Sequence, residues 1–136
     1  MIVYLGFDCN EQTGYDLRCD NIATLNKEVL DNQATEITCV NFLSSVDYSD
    51  VENVLRFLCG KLRMGGSLTV VDIDAEMMAG VINSFGKDSL ADLDISNMKS
   101  LITMEEVKGM VPQGLKLSAM AIHERVKFTI TVKRRG

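Results

Sequence analysis

The sequence is poor in the residues that build metal centres and membrane spans. Its 136 residues contain one histidine, His123, one proline, Pro112, no tryptophan, and four cysteines without a CxxC pair. Zinc sites use clustered cysteine and histidine ligands, so we expect no metal site. No apolar run approaches the roughly 20 residues that cross a bilayer. We therefore expect a protein without a membrane span.

The composition also argues against a disordered chain. Hydrophobic residues make up 46% of the sequence and charged residues 24%, which is typical of globular proteins. The length suits a single domain over residues 1–136. The beginning, MIVYLGFD, lacks the basic stretch and cleavage site of a secretory signal. We therefore expect a soluble, cytoplasmic protein.

The four cysteines, at positions 9, 19, 39 and 59, lie in or beside apolar segments. A reduced thiol behaves as a small buried hydrophobe, and cytoplasmic thiols normally stay reduced. We interpret these cysteines as core residues. A disulfide between two of them is the alternative.

The charge is negative overall and unevenly distributed. The net charge is −5, and residues 1–100 contain 7 Lys/Arg against 16 Asp/Glu, whereas residues 101–136 contain 7 against 3. An acidic bulk repels a phosphate backbone, which disfavours nucleic-acid binding. The basic end Lys133–Arg135 is interpreted as a solvated chain terminus.

Four segments have the composition of strands. IVYL at 2–5 ends at Gly6, and YDLRCD at 15–20 predicts a short second strand. EITCVNFL at 36–43 and SLTVVDI at 67–73 are apolar runs rich in β-branched residues. Such runs are typical of strands buried on both faces of a parallel sheet.

Helices are predicted between these strands. TLNKEVLD at 24–31 predicts about two turns of helix. A longer helix is indicated by a capping box of Ser49 and Glu52, with Gly65 at its left-handed C-terminal position. The apolar face of this helix is Val51, Val54, Leu55, Leu58 and Leu62.

Two further helices are predicted in the second half of the chain. Asp74 can cap a helix whose apolar face is Met77, Met78, Val81, Ile82 and Phe85. A second capping box, Thr103 with Glu106, begins a short helix that ends before Pro112. The polar stretch 86–100 has no strong period and is interpreted as a loop with at most one turn of helix.

The C-terminal segment alternates in polarity as a half-exposed strand does. In VKFTITVK at 126–133, apolar residues alternate with lysine and threonine, and LKLSAMAI at 115–122 is the expected antiparallel partner. The turn is expected near Glu124 and Arg125. Together these elements predict an α/β fold with an open, mostly parallel sheet, helices on both faces and a C-terminal antiparallel hairpin. An exposed edge strand favours a homo-oligomer.

The order of these motifs resembles the class I S-adenosylmethionine-dependent methyltransferases. The matching elements are YLG at 4–6, the segment Gly14 to Asp20, the strand at 36–43, the LRMGG turn at 62–66 and the hairpin ending VKFTITVKR. The resemblance implies a Rossmann-like fold. It covers most of the chain, but the third strand and one crossover are expected to be missing. The glycine-rich loop of the family is altered here to GFDCNEQTG.

By this resemblance the methyl donor S-adenosylmethionine would lie at the carboxyl ends of the strands. Gly6 would be the residue of close backbone approach, and Gly14 is the second glycine that remains of the loop. Asp20 would accept both ribose hydroxyls, with Asp16 as a second candidate. Asp8 would meet the sulfonium or amino group of the donor. The alternative is that these carboxylates belong to turns and strand ends.

Asn41 and Phe42 occupy the position where the family contacts donor and acceptor. A phenylalanine at the position of Phe42 is more often a core residue. Asp74 is expected to cap a helix, although it and Asp72 also end a strand beside the acceptor side of such a cleft. His123 is not assigned a catalytic role.

Two functions follow as expectations. The first is methyl transfer from S-adenosylmethionine to a small-molecule or saccharide-type acceptor, for which the resemblance requires no catalytic triad. The second is a non-catalytic methyltransferase-like module for binding or assembly that has lost the donor site. The shape of loop 6–14 distinguishes them, because a loop that fills the donor slot with its own side chains favours the second.

Overall fold

Strands and helices alternate along the chain in the computed structural model, which describes residues 1–135. The strands are β1 (Ile2–Leu5), β2 (Leu17–Cys19), β3 (Ala34–Val40), β4 (Leu62–Ile73), β5 (Leu115–His123) and β6 (Lys127–Arg134). The α-helices are α1 (Ile22–Glu28), α2 (Tyr48–Lys61), α3 (Ala75–Phe85) and α4 (Met104–Gly109). Single 3-10 turns span Cys9–Glu11, Leu43–Ser45 and Lys87–Leu90.

The strands form one six-stranded sheet in the order β2-β1-β3-β4-β6-β5. β1 pairs in parallel with β2 and β3, and β3 pairs in parallel with β4, whereas β6 is antiparallel to β4 and β5. The predicted mostly parallel sheet with a C-terminal antiparallel hairpin is confirmed. From the edge strand β2 the chain passes through α1 straight to β3. Within residues 1–135 it therefore lacks the third strand of the family, as expected.

The hydrophobic core lies on one face of the sheet. Leu25 of α1, Leu55 of α2 and Val107 of α4 share a single buried cluster with Leu5 of β1 and Ile37 of β3. All five side chains are at most 1% exposed. Three of the helices therefore cover the same face.

The opposite face departs from the expected second layer of helices. On this face Thr38, Thr69 and Thr131 pair across β3, β4 and β6 and are half-buried, and Lys133, two residues after Thr131, is exposed. The crossover from β1 to β2 is too short and polar for a helix and contains only the Cys9–Glu11 turn. Near β1 this crossover covers the face itself, leaving Tyr4 4% exposed.

The segment LRMGG belongs to a strand rather than to a helix end. α2 stops at Lys61, and Leu62, fully buried, already pairs with Ala34 of β3. The next pair is Glu36 with Ser67, so residues 63–66 bulge out of the ladder. Gly65 has φ of +80°, and a Cβ on Gly66 would lie 2.9 Å from the carbonyl oxygen of Ala34. The double glycine permits this bulge, and its predicted role in ending the helix is wrong.

The start of α2 also differs from the prediction. Its N-cap is Asp47, whose side chain makes no capping hydrogen bond, so the capping box of Ser49 and Glu52 is not formed. The Thr103 box is confirmed, because the Thr103 hydroxyl accepts a hydrogen bond from the Glu106 amide at 3.1 Å. α1 begins at Ile22, earlier than predicted, because Asn21 caps it through the Thr24 amide at 2.8 Å.

The apolar face of α3 is not packed into the core. None of its residues is buried, and Met77 and Phe85 are 40% and 73% exposed. The periodicity predicted the helix correctly, but the helix contributes little to the main core.

All four cysteines are free and buried, as predicted for core thiols. Burial raises the pKa of Cys19 to about 11 and that of Cys59 to about 12. In the described residues, no helix combines the length and apolarity needed to cross a membrane.

Candidate functional site

The register of the parallel strands aligns the predicted site residues at one edge of the sheet. Leu5 of β1 pairs with Cys19 of β2 and with Cys39 of β3. The residues that follow, Gly6 and Asp20, therefore stand beside each other, and Asn41 lies two residues beyond Cys39 at the same edge. In open α/β sheets this carboxyl edge is where ligands bind.

Gly6 is enclosed by the protein itself. Its amide donates to the carbonyl oxygen of Cys19 at 3.0 Å, and its carbonyl oxygen accepts from the Cys9 amide at 3.2 Å. A Cβ at this position would lie 3.0 Å from the Tyr4 ring and 3.1 Å from the carbonyl oxygen of Val40. Glycine is required here for close packing, and its amide is engaged within the sheet.

Asp8 is held by its own chain. Its Oδ1 accepts a hydrogen bond from the Tyr4 hydroxyl at 2.6 Å, and its Oδ2 accepts one from Gln12 Nε2 at 3.2 Å. Burial, with the hydrogen bond and charge of Asp8, raises the pKa of Tyr4 well above its usual value. Tyr4 therefore remains a neutral donor, and it anchors the loop from Gly6 to Gly14 to the sheet.

The aromatic side chains at the edge pack on each other. The rings of Phe7 and Phe42 stack with centroids 5.9 Å apart and an interplanar angle of 27°. Phe42 is 5% exposed, as the core interpretation expects, whereas Phe7 is 44% exposed. Phe7 thus closes over the strand end that Phe42 follows.

The two carboxylates near β2 lie at opposite ends of that strand. Asp20 follows β2 at the carboxyl edge, where it is exposed and accepts a hydrogen bond from Asn21 Nδ2 at 2.9 Å. Asp16 precedes β2, and its Oδ2 accepts from the Ile2 amide at 2.7 Å at the start of β1. Gly14, two residues earlier with φ of +84°, turns the chain toward this amino end. Asp16 and Gly14 are therefore remote from the edge where a donor would bind.

Asn41 carries an unpaired buried atom. Its φ of +53° places it in the left-handed region, which asparagine tolerates better than most residues. Its amide donates to the Val71 carbonyl oxygen at 2.8 Å, but its side-chain Oδ1 is buried without a hydrogen-bond partner. Such an atom is usually satisfied by a ligand or an ordered water.

A cavity of about 210 Å³ lies beside Asn41. It is smaller than the roughly 300–1,000 Å³ of pockets that enclose drug-sized ligands. Its walls are Phe7, Asp8, Val40, Asn41, Ser44, Ile73, Asp94, Ile95, Asn97 and Met98. Carboxylate, amide and apolar groups line it, without a cationic side chain.

The segment 94–98 was not predicted as part of this wall. Asp94 Oδ1 accepts from the Ser96 amide at 3.1 Å and from its hydroxyl at 2.7 Å, and these hydrogen bonds lower the pKa of Asp94. The carbonyl oxygen of Ser44 then accepts from the Lys99 amide at 2.7 Å, which docks the segment on the sheet edge. The sequence Asp94-Ile95-Ser96 is typical of such a turn. It does not indicate that the turn packs against the carboxyl edge of the sheet.

Asp72 and Asp74 at the end of β4 have structural roles. Asp74 Oδ1 accepts from the Met77 amide at 3.0 Å and its Oδ2 from the Met104 amide at 2.8 Å, so the predicted cap is confirmed and joins α3 to α4. Asp72 is fully buried and accepts from the amides of Ser44 and Ile73. Burial raises the pKa of Asp72.

His123 ends β5 beside Lys127 of β6, which in turn pairs with Ile73 at the end of β4. Its Nε2 lies 2.7 Å from the Thr129 hydroxyl across the hairpin.

Comparison with solved structures shows the fold. The chain superposes on a SAM-dependent methyltransferase from Thermotoga maritima with a TM-score of 0.64 at 16% identity, covering 98% of this chain and 82% of that one. An S-adenosylmethionine-dependent methyltransferase from Mesorhizobium loti gives 0.64 at 10% identity, covering 98% and 90%. One from Archaeoglobus fulgidus gives 0.62 at 10% identity, covering 98% and 85%. The chain therefore has a class I methyltransferase-like, Rossmann-like fold.

Sequence comparisons add no closer relative. No protein-family model matches the chain, and no curated protein matches it.

The residues present do not fit S-adenosylmethionine in the position that the resemblance implies. Tyr4 and Gln12 hold Asp8 against the sheet, and Phe7 lies on Phe42 across the strand end. The remaining cavity is small for a nucleoside ligand. Asp20 and Asp8 are both exposed at the carboxyl edge, and Asp8 accepts hydrogen bonds from Tyr4 and Gln12.

Proposed function

We propose that the chain is a non-catalytic methyltransferase-like module for binding or assembly. The observation that carries this proposal is the docking of loop 6–14 on the sheet through Tyr4 and Phe42. The Tyr4 hydroxyl and Gln12 hold Asp8, and Phe7 stacks on Phe42 across the strand end where a donor would lie. A loop fixed by its own contacts must break them before it can bind a ligand, which lowers affinity.

The small cavity beside Asn41 supports a binding role that does not involve a nucleoside. The buried Oδ1 of Asn41 offers an acceptor to a hydrogen-bond donor. The space of about 210 Å³ suits a compact ligand or several ordered waters. The lining without cationic groups favours a neutral or positively charged occupant.

The second candidate is methyl transfer from S-adenosylmethionine to a small-molecule or saccharide-type acceptor. Two observations favour it: the exposed carboxylate of Asp20 at the end of β2, and the unpaired Oδ1 of Asn41 at the end of β3. This function requires loop 6–14 to open, with Tyr4 releasing Asp8.

Calorimetric titration of the full chain with S-adenosylmethionine and S-adenosylhomocysteine distinguishes the two candidates. The proposal predicts no saturable binding of either compound in the micromolar range. Micromolar binding that Asp20→Ala weakens at least about tenfold, a change of about 1.4 kcal/mol, would replace the proposal with the methyltransferase. Asp92→Ala, which removes an exposed loop carboxylate, is the matched control and should leave any binding unchanged.

A further inference from the structure

The cavity beside Asn41 brings together two carboxylates from distant parts of the chain. Asp8 lies in the loop after β1, and Asp94 lies in the segment that docks on the carboxyl edge of the sheet. Both residues line the cavity, and both are exposed. Within residues 1–135, neither carboxylate forms an ion pair with a lysine or an arginine. Two negative charges without a cationic partner therefore border the same space of about 210 Å³.

Both carboxylates keep acceptor capacity for a ligand. An ionised carboxylate offers about four lone-pair sites. Asp8 accepts one hydrogen bond from Tyr4 and one from Gln12. Asp94 accepts two from Ser96, and these lower the pKa of Asp94, so it stays charged at neutral pH.

A third acceptor in this wall does not depend on charge. Asn41 lines the cavity, and its Oδ1 is buried without a hydrogen-bond partner. The Asn41 amide is held by the carbonyl oxygen of Val71 at 2.8 Å, which fixes the residue at the end of β3. A buried acceptor without a partner carries a desolvation cost that a hydrogen-bond donor removes. The polar part of the wall therefore calls for a ligand that is both cationic and a donor.

The rest of the wall suits carbon atoms rather than a metal ion. Hard divalent cations take about six to eight oxygen ligands. Here five of the ten lining residues are apolar: Phe7, Val40, Ile73, Ile95 and Met98. Phe7 is also 44% exposed, and an aromatic ring attracts a nearby cation.

We propose that this cavity binds a compact primary ammonium, such as a short alkylamine, whose N–H groups donate to Asp8, Asp94 and the Oδ1 of Asn41. The alkyl chain lies against the apolar part of the wall. This inference rests on the proposed binding function and names the class of ligand for its cavity. A primary ammonium combines a positive charge with N–H donors, whereas a quaternary ammonium lacks the donors and an alcohol lacks the charge.

A series of small probes tests the ligand class. ¹H–¹⁵N spectra of the full labelled chain are recorded during titration with butylamine, tetramethylammonium, butanol or butyrate. Butylamine should give saturable shifts at Asn41, including its side-chain amide, and at residues 94–98. The dissociation constants of the other three probes should be at least about tenfold higher. Butanol binding as tightly as butylamine would overturn the proposal, because the cavity would then select only the alkyl chain. Butylamine shifts confined to other parts of the chain would do the same.

Substitutions in the wall test the assigned groups. Asn41→Gly removes Oδ1 and suits the φ of +53° at this position, and it should raise the dissociation constant of butylamine at least about fivefold. Asp94→Asn, at an exposed residue, should raise it about two- to fivefold, as expected for an exposed ion pair. Asp92→Asn makes the same change of charge outside the wall and should leave binding unchanged. Equal losses in Asp94→Asn and Asp92→Asn would overturn the proposal, because net charge would then govern binding.

Failure of this inference and failure of the proposed function give different results. If neither butylamine nor S-adenosylhomocysteine shifts the resonances of the carboxyl edge, the ammonium site is overturned and the proposed module stands. Saturable binding of S-adenosylhomocysteine would instead overturn the proposed module, and this inference with it.

Discussion

At the residue scale, the hydrogen bond from Tyr4 to Asp8 holds loop 6–14 against the sheet. Tyr4→Phe keeps the ring and removes the hydroxyl, so Asp8 loses a partly buried partner. We expect the free energy of unfolding to fall by about 1–2 kcal/mol, measured by urea denaturation. Tyr48→Phe is the matched control, because the Tyr48 hydroxyl bonds Glu106 at the exposed surface. It should change stability by less than about 0.5 kcal/mol, and equal losses in the two variants would contradict this account of Tyr4.

The buried carboxylate of Asp72 should give the folded state a pH dependence. Burial raises its pKa in the folded protein above the value of about 3.9 in the unfolded chain. Between these two values the folded state binds more protons, so the contribution of Asp72 to stability falls as pH rises through that window and is constant above it.

Urea denaturation of the wild type and Asp72→Asn over a pH series measures this effect. The variant has no titrating group at this site, so the stability of the wild type minus that of the variant should decrease as pH rises through the window. A difference that grows with pH would mean that the folded protein lowers the pKa of Asp72 instead.

The sequence predicted which residues lie at the carboxyl edge of the sheet, but it did not predict their hydrogen-bond partners. Gly6, Asp20 and Asn41 follow three strands that the apolar runs identified, and parallel pairing brings those strand ends together. The Tyr4 hydroxyl reaches Asp8 only because the crossover folds back over β1. That path depends on tertiary packing, which a turn-forming sequence does not determine.

At the element scale, the Asp74 side chain caps α3 and also accepts a hydrogen bond from the Met104 amide at the start of α4. Asp74→Ala leaves the Met77 and Met104 amides without their acceptor, so the free energy of unfolding should fall by about 1–3 kcal/mol, since one lost cap accounts for about 0.5–2 kcal/mol. Thermal or urea denaturation measures the loss. Asp47→Ala removes an N-cap whose side chain makes no such bond, and it should have a markedly smaller effect. A larger loss for Asp47→Ala would contradict the capping assignment.

The two capping boxes show where local patterns are sufficient. Thr103 and Glu106 form their box, whereas Ser49 and Glu52, with the same spacing, do not, because α2 begins earlier at Tyr48. Likewise, Gly65 suits a helix end by its conformation but lies in the bulge of β4. At the end of α2 the pairing of Leu62 with β3, rather than the local pattern, sets the helix boundary.

At the scale of the whole molecule, the order of elements was the reliable signal. The short interval between Asp20 and the strand at 36–43 predicted the loss of a strand, and β2 is indeed an edge. A second layer of helices was also expected, but the polar crossover GFDCNEQTG contains only a single 3-10 turn. The half-buried Thr38, Thr69 and Thr131 lie on the face without helices. In the sequence they have the same alternating pattern as the solvent-facing residues of any strand.

The central claim is that loop 6–14 closes the donor site with its own contacts. Its most direct test is a ¹H–¹⁵N spectrum of the labelled chain titrated with S-adenosylhomocysteine. If the loop is closed, the amide resonances of Gly6, Asp8 and Asp20 should stay in place, and the Gly6 amide should exchange slowly with solvent with or without the ligand. Saturable shifts confined to Gly6, Asp20 and Asn41 would contradict the claim and show that the donor site still functions.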